Sequence, residues 1–414
     1  MDRGTPDPLG PTIVITELFA GSAVPGLDRP AWACAGINST AALPAEKPTP
    51  TPYLWACLNP TSSTLVNPHH RRSRHVTDSI LDLVQLGMPW TGLDPFIFTV
   101  HHVDHYPAGG DDLGPVDSLT GRNIGSDFSS KDGWSMYHGA RVPGFPQHPH
   151  RGFETVTVVR RGYVDHSDSL GATARYGGGD TQWLTTGSGI MHAEMFPLID
   201  QDGPNPLELF QIWLNLPPES KMVPAHFAML WSEEIPTVAG GPGVSVDIIA
   251  GQIDGLHAPA PPPDSWAAQP GSDMAIWLIR LDEGAQWDVP VAPHGVNRML
   301  HFFDGDEAGI DSVSIRPPTG ARLNPERSTR ITNRGRPAEF LLLQGRPIGA
   351  PVFQMGPFVM NTPEELQQAF VDYRRTQFGG WPWPSPSHVH ARHEGRFALH
   401  VDGKVERRNM QTVR

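Results

Sequence analysis

The chain has 414 residues, 43 glycines and 44 prolines, and a formal charge of -13. That length supports more than one core, and the glycine and proline content favours short strands joined by turns over long helices. The negative charge argues against direct nucleic-acid binding, which needs Lys and Arg to neutralise phosphates. Cys34 and Cys57 are too few for a disulfide scaffold or a thiolate metal site.

Residues 1–75 form an extension of different character, rich in Pro and Thr, with TIVITELF (Thr12–Phe19) as one strand and AEKPTPTP (Ala45–Pro52) as a linker. HHRRSRH (His69–His75) reads as a solvated basic run. DSILDLVQLG from Asp78 reads as a short helix. Phe96, Phe98 and Val100 then alternate as a half-buried strand would.

Strand-length segments follow: FETVTVV (153–159), TQWL (181–184), IMHAEM (190–195) and ELFQIWLNL (208–216). In the last, Phe210, Ile212, Leu214 and Leu216 share one face. Beyond a soft boundary near 236–243 come SVDIIAG, MAIWLIRL, MLHFF and EFLLLQG, with APAPPPDSW (258–266) as an exposed loop. These describe two successive all-β units. One helix is marked after Thr362 by Pro363, a capping box with Glu365, and the stripe Leu366, Ala369, Phe370 and Tyr373. The remainder is a polar tail anchored by aromatics.

Two stretches carry chemistry. In HPHRGFE, strand alternation aims His148 and His150 to one side, together with Gly152 and Glu154 if the strand continues. In IMHAEM, His192 and Glu194 have the same spacing. The glycines of GGGD and TGSG let the chain reverse so that the second pair returns over the first. Three imidazoles and one carboxylate suit iron, manganese, copper, nickel or zinc better than calcium or magnesium. Two further histidine-rich runs, HHVDH (His101–His105) and HVHARHE (His388–Glu394), are read as a strand end and as part of the tail.

The runs PGFPQHPHRGFETVTVV, DHSDSLGATARYGGGDTQWLTTGSGIMHAEMFP, LELFQIWLNLPPESKM and GPFVMNT resemble the pirin family of the cupin superfamily over residues 76–376. The resemblance implies an all-β bicupin of two jelly-roll barrels and a C-terminal helix. The units would be 76–240, holding one metal ion, typically iron; 241–355, without metal; and 356–414, helix and tail. It places the ligands on His148, His150, His192 and Glu194, and leaves Glu154 as a competing fourth ligand or as a nearby acid or base. It implies a dioxygenase of the quercetin 2,3-dioxygenase kind, with dioxygen and a small aromatic or enolic substrate. Glu194 or Glu154 would act as base, and Phe145, Arg151, Phe153, Trp183 and Met195 would line the pocket. Its alternative is an iron-dependent redox-sensing regulator acting through a protein partner. A single site per chain suffices for either role, so a monomer is expected, and with no apolar run of membrane length, a cytoplasmic one.

Overall fold

The computed structural model describes residues 77–410. The readings on residues 12–19, 45–52 and 69–75 and on both cysteines lie outside these. Two strand barrels follow each other, each made of two facing sheets. In the first barrel, one sheet runs in the order His226–Leu230, Thr181–Thr185, Phe153–Arg161, Asn205–Asn215, Phe96–Tyr106, Trp90–Thr91. The facing sheet contains Gly144–His150, Ile190–Met195, Tyr163–Asp168 and Thr173–Gly177, in that order from its edge. The second barrel pairs a seven-stranded with a four-stranded sheet.

DSILDLVQLG differs from its helical reading. Ile80–Gln85 is a strand, antiparallel to Thr319–Leu323 at the edge of the second barrel's large sheet. Ile80 is fully buried in that barrel's core and Leu83 packs against it, while intervening positions reach solvent. Edge pairing with a half-buried pattern outweighs local helix preference here. The second barrel's sheet therefore includes a strand from ahead of the first barrel.

The Asn205–Asn215 strand is buried on both faces. Phe210, Ile212 and Leu214 join Val156, Val158 and Trp183 in a cluster with Ile249, Met274, Ile276, Leu341 and Leu343 of the second barrel. Leu207 and Leu209 turn the other way, into the core of the first. The predicted stripe is thus the seam between barrels.

The helix spans Pro363–Thr376 with its capping box formed by Thr362 and Glu365. Leu366 and Ala369 pack on Met191, Phe358 and Met360, outside the sheet that carries the histidines. The tail is more ordered than its composition suggests. Arg396–Leu399 pairs with Thr173–Gly177 and with Val405–Arg408, extending that sheet.

A candidate metal centre in the first barrel

The Gly144–His150 and Ile190–Met195 strands are antiparallel neighbours with His148 directly opposite His192. Directly opposed residues project from the same face, here into the lumen. Ligand nitrogens of His148, His150 and His192 all lie within 4.8 Å of one another. Among the described residues no other set of His, Cys, Asp and Glu side chains gathers in this way.

Two imidazoles are oriented from behind. His148 Nδ1 lies 2.8 Å from the Pro146 carbonyl and His150 Nδ1 lies 3.3 Å from that of Pro357. A proton on each Nδ1 leaves Nε2 bare toward the lumen, the arrangement common in metal-bound histidines. His192 has no hydrogen-bond partner on either nitrogen although it is fully buried. Burial lowers the His148 pKa to about 4 and holds those of His150 and His192 well below the usual histidine value, with neighbouring imidazoles adding repulsion. All three are therefore neutral at physiological pH, the form that binds a metal. An orphaned buried imidazole among two pre-oriented ones fits a transition-metal ion.

Glu194 adjoins the triad without entering the same close set: its Oε2 is 4.0 Å from His192 Nε2. Oε2 accepts from Gln211 Nε2 at 2.6 Å and Oε1 from Thr157 Oγ1 at 3.2 Å. Burial raises its pKa against the opposing pull of His166, Gln211 and Thr157. Phe153 lies 5.0 Å from His150, ring to ring, and stacks on Trp213 at 3.9 Å. Phe145, opposite Glu194 in the ladder, lies 6.3 Å from His148.

Four expected participants stand elsewhere. The single-face reading of HPHRGFE breaks at Gly152, whose φ of +85° turns the chain from one sheet into the other; a Cβ there would lie 2.0 Å from the Val359 carbonyl oxygen. Glu154 consequently shares a face with Val156 and points to the inter-barrel seam. There Thr185 and Ser265 each donate to it at 2.6 Å. Trp183 is on the same seam. Met195 faces outward to Leu113 and Val142. Arg151 donates to the Ser188 carbonyl and pairs with Asp372 at 2.9 Å, fastening the C-terminal helix to the barrel.

The sequence reading passed over Thr157, Gln211 and Trp213. Each has the opposite parity to the apolar stripe of its strand, which was the available signal. Of the other histidine runs, His102 Nδ1 contacts the Tyr137 hydroxyl at 2.9 Å, and that hydroxyl donates to Asp104 at 2.7 Å. His390 contacts Thr173 at 3.0 Å and packs as part of the tail.

Two tandem all-β barrels, one with a histidine triad in its lumen, define a bicupin. Residues 117–214 match the Pirin family and residues 276–379 the Pirin C-terminal cupin domain. Pirin of Homo sapiens is 37% identical over 249 residues, covering 59% of this chain and 80% of that protein. A pirin-like protein of Caulobacter vibrioides is also 37% identical, covering 57% and 80%. A solved quercetin 2,3-dioxygenase from Acinetobacter baumannii superposes with a TM-score of 0.59 at 26% identity, over 73% of this chain and 99% of that one. The chain belongs to the pirin family.

Proposed function

We propose that the first barrel holds one iron ion on His148, His150 and His192, with Glu194 as the carboxylate beside it. We further propose that it opens the heterocycle of a flavonol with dioxygen, releasing carbon monoxide. The observation that carries this reading is the convergence of three neutral imidazoles, His150 and His192 buried and His148 half buried, in a lumen walled by Phe145, Phe153 and Trp213. Likeness to a solved quercetin 2,3-dioxygenase supports it.

A bound iron supplies a site where an enolic oxygen and dioxygen meet. The chain's own residues do the rest. The Glu194 carboxylate takes the proton of the flavonol 3-hydroxyl, and Gln211 and Thr157 hold it facing the triad. Phe145, half buried on the edge strand beside His148, gives a flat ligand an aromatic wall. Glu154 plays no part, since it points to the seam.

The test is oxygen uptake and carbon monoxide release when iron-loaded protein meets quercetin, beside His150→Ala. Turnover in the first and loss of both metal and turnover in the second are expected. An iron-replete, folded protein that leaves quercetin intact would overturn the reaction and favour the redox-regulator alternative.

A further inference from the structure

The lumen is not equally closed all round. Thr155, Thr157, Gln182 and His192 are at most 1% exposed. Phe98, Val100, Phe145, His148 and Gln211 face the same lumen but are only half buried. Phe98 and Val100 lie opposite Trp213 and Gln211 on the Phe96–Tyr106 strand, while Phe145 and His148 lie on the edge strand of the facing sheet. The opening to the triad therefore runs between these two strands.

A loop stands at this opening and holds an aromatic ring in solvent. Phe128 is 46% exposed. Its ring meets Tyr137 at 5.4 Å and His138 at 5.1 Å; Tyr137 stacks on Phe145 at 5.1 Å, and Phe145 reaches His148 at 6.3 Å. Aromatic contacts thus run unbroken from solvent to a triad imidazole.

The loop is braced. Asp127, 1% exposed, accepts from Arg122 and from the Met136 amide, each at 3.0 Å, and from Ser129 Oγ at 2.6 Å. The Arg122 guanidinium lies 3.3 Å from the Trp134 ring centroid, and Asp127 and Tyr137 exchange two backbone hydrogen bonds of 2.8 Å. A ring next to so firmly held a residue keeps its exposure by construction, not by looseness.

We propose that Phe128 determines specificity, as the outer wall of an aromatic slot that takes the distal ring of a planar polyphenol whose hydroxyl reaches the triad. The proposal rests on the reading of the triad as a flavonol site. Offset and edge-on aromatic contacts favour flat, extended ligands, and only a ligand longer than one ring spans both the triad and the rim.

Equilibrium titration tests it: quercetin and the single-ring catechol, without oxygen, against iron-loaded full-length protein, followed by fluorescence quenching. Because Phe128 is exposed and unused by the core, Phe128→Ala retains its iron, which metal analysis verifies. Quercetin binding weakens about tenfold in Phe128→Ala, returns in Phe128→Tyr, and catechol binding stays within about twofold of wild type. Unchanged quercetin affinity in Phe128→Ala overturns the slot, as does equal loss of quercetin and catechol, or a wild-type protein that binds catechol but not quercetin. If the slot binds as stated and quercetin is never turned over, the slot stands and the dioxygenase reading falls.

Discussion

The two barrels share an architecture and fill it in opposite ways. In the second, Val246, Ile248, Trp277, Ile279, Leu300, Phe302, Phe340 and Leu342 close the interior with apolar side chains. In the first, part of that space holds four imidazoles, those of His148, His150, His166 and His192, with the Glu194 carboxylate and the Gln182 amide. Neither amide atom of Gln182 nor either nitrogen of His192 has a hydrogen-bond partner in the protein. Each buried unpaired group costs on the order of 1–3 kcal/mol. The contrast teaches that the fold itself does not require the polar lumen. The first barrel sustains it because its outer faces are covered, by the second barrel at the seam, by the helix Pro363–Thr376 and by the tail.

That difference can be broken at either barrel. Leu342 is fully buried in the second, and Leu342→Ala is expected to cost about 2–5 kcal/mol in denaturant unfolding. His192→Ala, in metal-free protein, removes two unpaired nitrogens and should cost less than about 1 kcal/mol, although it abolishes metal uptake. Comparable losses for the two variants would show that the triad is part of the folding core and would erase the distinction. A smaller effect sharpens it. Gln211→Leu removes the donor that holds Glu194 and is expected to weaken iron binding about 10–100-fold in chelator competition, with unfolding little changed. Undiminished affinity would mean that Glu194 needs no such support.

Much of this arrangement was legible in the residues, for reasons that also explain the misses. Two His-x-His/Glu spacings on strand-length segments brought His148, His150, His192 and Glu194 to one lumen, because period-two alternation is local and needs no tertiary information. The same rule failed at Glu154. A left-handed glycine at 152 moves the chain into the facing sheet, and nothing in HPHRGFE distinguishes that corner from an uninterrupted strand. Ile80–Gln85 was misread because its partner strand lies more than two hundred residues on. Trp183 and Met195 were expected as pocket walls, yet Trp183 faces the seam between the barrels and Met195 faces away from the lumen. The HVHARHE tail repeats the ligand spacing, but its histidines sit on the outside of the sheet that the triad occupies from within.

The seam carries the finest test of how the barrels depend on each other. Glu154 comes from the first barrel and Ser265 from the second. The Ser265 hydroxyl accepts from the Ala267 amide, so its one proton is free to go to Glu154. Burial nevertheless dominates and raises the Glu154 pKa from 4.5 to about 7, against the hydrogen bonds from Ser265 and Thr185 that favour the ionised form. A carboxyl with a higher pKa folded than unfolded binds more protons in the native state between those values. Stability then falls as pH rises through that window, the reverse of an ion-paired carboxylate. Between about pH 6 and about pH 8 the loss is on the order of 1 kcal/mol. Glu154→Gln keeps an acceptor for the two hydroxyls but has no proton to lose, so its stability should be flatter across this range. Urea unfolding at both pH values checks this: parallel pH dependence in the two proteins would mean that Glu154 is ionised in the seam and that the barrels meet around a charge.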